Sequence, residues 1–270
     1  MALNKGVKNR IGEVAKTILL SRIESFPDET TKIRNAPFHK AFLECFENRI
    51  KPLKVELPYL VAIASWLHGL NTSLGSGFEN IAHILSGGCN RNFSGHYILK
   101  VKKTQSQKIE EIVRDLKTRG KPNLEKENEK IFKFNSRDIE VNCLPFTVDN
   151  YFETEKLVDA IEMKSVRPNS GEGRGEKQKI LYAKSALKLL TPNKVIRYYI
   201  GFPFDPTSDE STKYDKERFF NYLIEFKKFF SPEEVLLSSE LWDHLSGQQN
   251  TMEEVLEVIS QTVKEIKISP

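Results

Sequence analysis

Leu157-Val-Asp-Ala-Ile-Glu-Met-Lys-Ser-Val-Arg-Pro-Asn169 joins a strand pattern to a pair of opposite charges and then to a loop. Leu157, Ile161 and Met163 fall on alternate positions, as on one face of a β-strand, so Glu162 and Lys164 share the other face side by side. A carboxylate in that place can hold a divalent cation, and a lysine beside it can orient a water or stabilise charge on a phosphate. A lone Glu-x-Lys arises by chance in any chain rich in these residues, so its meaning depends on what surrounds it.

Upstream, Asp138-Ile-Glu-Val-Asn-Cys-Leu-Pro145 alternates Ile139, Val141 and Cys143 with Glu140, Asn142 and Leu144, which predicts a strand with a polar face. Thr147 to Lys156 reads as a polar connection, so these two strands are expected to form a hairpin. Downstream, Ser165 to Gly175 reads as a loop, and Glu176 to Leu190 as an amphipathic helix carrying Lys177, Lys179, Lys184 and Lys188. Lys194-Val-Ile-Arg-Tyr-Tyr-Ile-Gly-Phe-Pro203 is β-branched and aromatic, hence a strand. Strand, strand with Glu-x-Lys, helix, strand is the order of a mixed sheet flanked by helices, and it is also the order of the PD-(D/E)xK nuclease core. The expected class is therefore α/β (α+β), with helical N-terminal and C-terminal additions to that core.

The N-terminal part reads as mainly helical through about residue 95. A 3.6-residue period runs through residues 4–26, a second helix starts at Pro37-Phe-His-Lys40, and Pro58 to Leu67 forms an apolar helix. Leu70-Asn-Thr-Ser-Leu-Gly-Ser-Gly77 reads as a glycine-rich turn into another helix, Phe78 to Leu85, closed by Gly87-Gly88. Glu79 lies in the first turn of that helix, where a carboxylate also favours the helix dipole. Residues 100–121 hold eight bases and three acids, a helix from Lys108 to Thr118 among them. The chain then divides into a catalytic core over 130–204 and an acidic, helical part over 205–270, all within one expected domain, 1–270.

The charge is unevenly spread. The chain has 41 Lys and Arg against 37 Asp and Glu; from Asp205 onward 14 acids meet 7 bases, which leaves 34 bases and 23 acids, or +11, in the first 204 residues. A basic body suits a polyanionic partner. No apolar run approaches the ~20 residues of a membrane span, and the N-terminus shows no signal-peptide pattern. Three cysteines without CxxC spacing (Cys45, Cys89, Cys143) read as reduced cytosolic thiols, so a cytoplasmic protein is expected. The five histidines lack HExxH spacing and no Walker-type loop is present, which disfavours a zinc enzyme and an ATP-driven one.

Three stretches resemble the TdeIII-type family of type II restriction endonucleases. They are Pro37-Phe-His39 with Leu70-Asn-Thr-Ser-Leu-Gly75 and Phe78-Glu79; Glu162-Met-Lys-Ser-Val-Arg-Pro-Asn169 with the lysine-rich helix after it; and Gly201-Phe-Pro-Phe204 with Leu241-Trp-Asp-His-Leu-Ser-Gly247. The resemblance implies a Mg²⁺-dependent endonuclease that cuts both strands of a short palindrome, of GG-N/W-CC type. In that family an Asp is expected where Asn142 stands, in Glu140-Val-Asn-Cys-Leu144. An amide is a poorer Mg²⁺ ligand than a carboxylate. Either Glu140 takes the role, or Asp138 or Asp149 does in another register, or Asn142 marks a loss of activity.

The expected chemistry is hydrolysis of a phosphodiester by metal-activated water. Glu162, with Asn142 or Glu140, would hold the ion; Lys164 would sit beside the nucleophile; Glu79 would add a metal or water contact. Arg167, Asn169, Arg174, Lys177 and Lys179 are the candidates for phosphate clamps or base readers on double-stranded DNA. A palindromic target matches a twofold homodimer. The competing classes are a structure-specific repair or recombination nuclease and a catalytically disabled DNA-binding protein.

Overall fold

The computed structural model describes residues 2–27, 37–50, 52, 55–164 and 170–266. Its centre is a five-stranded mixed sheet of order β1-β4-β5-β6-β7, made of β1 (Cys89–Phe93), β4 (Phe146–Glu153), β5 (Leu157–Met163), β6 (Val195–Phe202) and β7 (Val235–Leu237). β1, β4 and β5 run antiparallel in turn. β5 is joined to β6 in parallel through α7 (Ser170–Leu190), the helical crossover that a parallel pair requires. A separate two-stranded sheet pairs β2 (Lys100–Lys102) with β3 (Glu140–Asn142).

β5 is buried on both faces. Val158 and Ala160 join a core with Ile180, Leu181, Ala183 and Leu187 of α7, Ile109 and Val113 of α5 (Lys103–Arg119), and the phenylalanines Phe219, Phe226 and Phe230. Ile161 faces the other way, into a core with Ile11 of α1 (Lys5–Ile23), Ile81 of α4 (Leu57–Ser86), Leu241 and Trp242 of α9 (Ser239–Ser246) and Val255 of α10 (Thr251–Glu265). Glu162 has the same parity as Val158 and Ala160, so it meets α7 rather than water.

Several sequence expectations change. The strand expected over 138–145 is short and pairs with β2, and the presumed connection 147–156 is β4, the true antiparallel neighbour of β5. Phe146, Val148 and Tyr151 of β4 are buried core residues, which outweighs the polar residues between them. The sheet also extends past 130–204 at both edges, through β1 and β7, so the C-terminal part contributes a strand as well as helices.

The glycine-rich stretch 70–77 is helix, within the 30-residue α4. A Cβ on Gly77 would run into Ile18 of α1, so this glycine serves the close approach of α1 and α4. The Thr72 and Ser73 hydroxyls donate back to the carbonyls of His68 and Gly69, which satisfies them within the helix. α4 ends at Gly87, in the left-handed region at φ 71°, as the sequence predicts. Among the described residues no helix is long and apolar enough to cross a membrane, and all three cysteines are free thiols.

Candidate active site

The site forms where β4 and β5 part company. Asn150 pairs with Ile161, the last matched pair at that end of the two strands, so Asp149 and Glu162 stand next to each other one step beyond it. There the Asp149 side chain replaces a backbone partner: the Met163 N–H donates to Asp149 Oδ2 at 2.8 Å. From α4, His83 Nε2 donates to the Asp149 carbonyl at 2.6 Å; because a carbonyl only accepts, that ring nitrogen carries the proton. On the other side the Lys164 N–H donates to the Gly201 carbonyl of β6 at 2.8 Å, which holds the end of the Glu-x-Lys segment in line with the sheet.

Two lysines and two glutamates interlock beside Asp149. Lys164 Nζ lies 3.0 Å from Glu162 Oε1 and 2.9 Å from Glu176 Oε1. Lys179 Nζ lies 2.8 Å from Glu162 Oε1 and 2.7 Å from Glu176 Oε2. Glu162 is buried, and its second oxygen, Oε2, has no hydrogen-bond partner. Asp149, Glu162 and Lys179 line a cavity of about 300 Å³ together with Ser94, Pro145, Phe146 and Thr147.

The titration of these groups follows from crowding. Burial and then the charge of Glu162 push the Asp149 carboxyl up to about 6. Burial raises Glu79 as well; His83 opposes the shift and Glu162 adds to it. For Glu176 burial acts upward, but Lys179 and Lys164 outweigh it and hold the carboxyl below its ordinary value. Burial works against the Lys164 ammonium, yet Glu162 and Glu176 together raise its pKa, so it stays protonated. If all ionise, four carboxylates (Glu79, Asp149, Glu162, Glu176) face two ammonium groups (Lys164, Lys179), a net −2. That deficit matches one divalent cation, and Glu162 Oε2 is a buried acceptor with no partner. Among the described residues no three His, Cys, Asp or Glu side chains form a ready-made cage. Two carboxylates completed by substrate phosphate and water are the usual Mg²⁺ arrangement, so the residues fit such an ion.

Comparison with known proteins gives this geometry its class. A family model described as HinfI, type II restriction endonuclease, matches residues 2–263. The chain belongs to the HinfI family. It is 47% identical over 270 residues to the type II restriction enzyme MjaII of Methanocaldococcus jannaschii, covering 98% of this chain and 72% of that relative. The protein is thus a type II restriction enzyme, a site-specific deoxyribonuclease with DNA as its substrate, in a family that generally uses a divalent metal. The resemblance drawn from the sequence holds for type II restriction endonucleases as a class, and the family whose model matches is that of HinfI.

In this HinfI-family enzyme the structure gathers Glu162, Lys164, Glu79 and Lys179 from the residues singled out in the sequence. It separates Glu140 and Asn142 from them. Both lie on β3, in the other sheet, and Glu140 is exposed and paired with Lys102 at 2.9 Å. Asp138 is committed nearby, with its Oδ2 accepting the Thr104 N–H. The carboxylate beside Glu162 is Asp149, on the strand that adjoins β5, and the expected placement of Glu140 or Asn142 next to Glu162 is corrected: both lie on β3.

Lys177 is also corrected. It is 0% exposed, with Nζ 2.7 Å from Glu234 Oε1 and 2.5 Å from Glu127 Oε2, and cannot reach a phosphate. Arg174 is exposed on α7, whereas Arg167 and Asn169 lie outside the described residues. Sequence reading missed Glu176, which begins the expected helix and reads as an ordinary surface acid. Asp149 stood among the alternatives to Asn142, and its strand has a sequence signal: Phe146-Thr-Val-Asp-Asn-Tyr-Phe-Glu153 is rich in aromatic and β-branched residues directly before a short turn.

Proposed function

We propose that the chain hydrolyses both strands of a short palindromic DNA with a divalent ion, Mg²⁺, held by Asp149 and Glu162, as a PD-(D/E)xK nuclease within a single domain. The observation that carries the reading is the meeting of Asp149, Glu162 and Lys179 in one cavity, with Lys164 on Glu162. A divalent ion there would supply Lewis-acid polarisation of the scissile phosphate and of the attacking water. The side chains do the rest. Asp149 and Glu162 hold the acidic face of the site; the Met163 N–H keeps Asp149 turned inward. Lys164, kept protonated by its two glutamates, acts as a charge: it stabilises the negative phosphoryl oxygens and orients the water, and is unsuited to take a proton. Glu176 holds that ammonium in place at 2.9 Å. Glu79, on α4, is the further carboxylate facing the site.

A twofold dimer would place two such sites on the two strands of a palindrome. The presence of Asp149 removes the reason for supposing a disabled enzyme, since that supposition rested on Asn142. Digestion of a plasmid of known sequence with Mg²⁺ tests the reading. Discrete fragments with ends at one palindrome are expected, and end mapping compares the site with GG-N/W-CC. Asp149→Asn, Glu162→Ala and Lys164→Ala should each abolish cutting while Ca²⁺-supported DNA binding by the Lys164 variant persists. A preference for branched substrates would favour the structure-specific nuclease, and full activity of Asp149→Asn would refute the site.

A further inference from the structure

Two buried polar atoms at the site lack partners, and they complement each other. Glu162 Oε2 is an acceptor with no hydrogen bond, and the Tyr198 hydroxyl is a donor with none. Glu162 is 7% and Tyr198 3% exposed, so solvent does not serve either freely. Buried groups of this kind are nearly always satisfied, by protein or by an ordered water, so two orphans in one place call for a joint explanation.

Strand register brings them together. On β6, Tyr198 stands beside Ala160 of β5, and Ala160 is two residues before Glu162 on the same face. Ala160 and Tyr198 both belong to the core beneath α7, the side on which Glu162 meets Lys179. The small Ala160 side chain leaves room for the ring along that face. Burial, with the charges of Glu162, Asp149 and Glu176, keeps the phenol protonated well above its ordinary range, so it remains a donor.

We propose that Tyr198 is a positioning residue whose hydroxyl holds Glu162 Oε2 across one buried water, and so orients this carboxylate for the cation. Oε1 is already fixed by Lys164 and Lys179. Tyr198 fixes the second oxygen from beneath, with a lone pair still open to the ion. The role is that of the outer hydrogen-bond partners that set the geometry of metal-binding carboxylates. It rests on the metal reading of Asp149 and Glu162 given above.

The test is Tyr198→Phe, which removes one oxygen and keeps the ring. Ca²⁺ affinity is measured by calorimetry on the metal-free protein, and cleavage is measured across a Mg²⁺ series. The expectation is a loss of about 10-fold or more in Ca²⁺ affinity, a matching rise in half-saturating Mg²⁺, a lower kcat, and an unchanged thermal midpoint. Unchanged Ca²⁺ affinity and Mg²⁺ dependence would overturn the proposal. A loss of metal binding that comes with a lower thermal midpoint would overturn it too, in favour of packing. Glu162→Ala and Asp149→Asn run alongside: if they leave Ca²⁺ binding intact, the metal reading itself fails; if they abolish it while Tyr198→Phe does not, only the role of Tyr198 fails.

Discussion

Lys177→Met should unfold the protein more readily and leave its grip on DNA alone. Lys177 Nζ sits 2.7 and 2.9 Å from the two oxygens of Glu234 and 2.5 Å from Glu127 Oε2. It also lies 5.2 Å from the centre of the Phe230 ring, and all three charged side chains are almost fully buried. Methionine keeps the length of the side chain but removes the charge, leaving two buried carboxylates without their shared cation. Breaking a buried pair in this way costs about 3–5 kcal/mol. Nearby Lys184, whose Nζ has no hydrogen-bond partner and whose charge Glu234 and Glu127 favour, limits the loss toward the lower end. In a chain of this size that corresponds to a fall in Tm of roughly 6–20 °C. Urea unfolding gives the stability, and DNA affinity at several salt concentrations gives the number of phosphate contacts. A phosphate-binding lysine would flatten the log–log salt slope by about 0.9 when removed. A variant of normal stability with a flattened slope would refute the burial argument and return Lys177 to the DNA surface.

Three further outcomes follow from the same structure. Asn142→Asp should not raise cleavage and Glu140→Gln should not lower it, because both residues lie on β3; a gain or loss in a Mg²⁺ cleavage assay beyond about 3-fold would return the metal site to that strand. Burial lowers Lys184 to about 8, so between there and its ordinary value of 10.5 the native chain binds fewer protons than the unfolded one. Stability of the wild type relative to Lys184→Met should therefore rise with pH across that window, by up to about 3 kcal/mol, and a flat difference in urea titrations would contradict it. Gly77→Val should destabilise by ~1–3 kcal/mol because Ile18 occupies the space, while Gly175→Ala, which meets nothing, should gain up to about 1 kcal/mol; equal effects in thermal unfolding would deny the helix contact.

Glu162 and Lys164 were legible because a strand alternates and because opposite charges two residues apart share a face. The same alternation misled one strand earlier. Residues 138–145 have a cleaner apolar–polar pattern than 146–153, but such a pattern marks a strand with one wet face, as β3 has, with Glu140 exposed and bound to Lys102. β4 lies inside the five-stranded sheet, and an interior strand carries buried residues on both faces, so Asp149 appears among aromatic neighbours and not in an alternating frame. Lys177 and Lys179 show the limit of composition in another way. Two residues apart on a helix, they point about 200° from each other; one enters a buried ion pair and the other reaches Glu162. A count of lysines cannot separate them, because the partners that decide their roles are Glu127 and Glu234 for one and Glu162 and Glu176 for the other. Those partners are brought up by α6 (Leu124–Phe132), the segment before β7, β5 and the start of α7. The meeting of Glu162 and Lys164 was therefore readable because it depends on neighbours within one strand, and that of Asp149 with Glu162 was not, because it depends on which strand lies alongside.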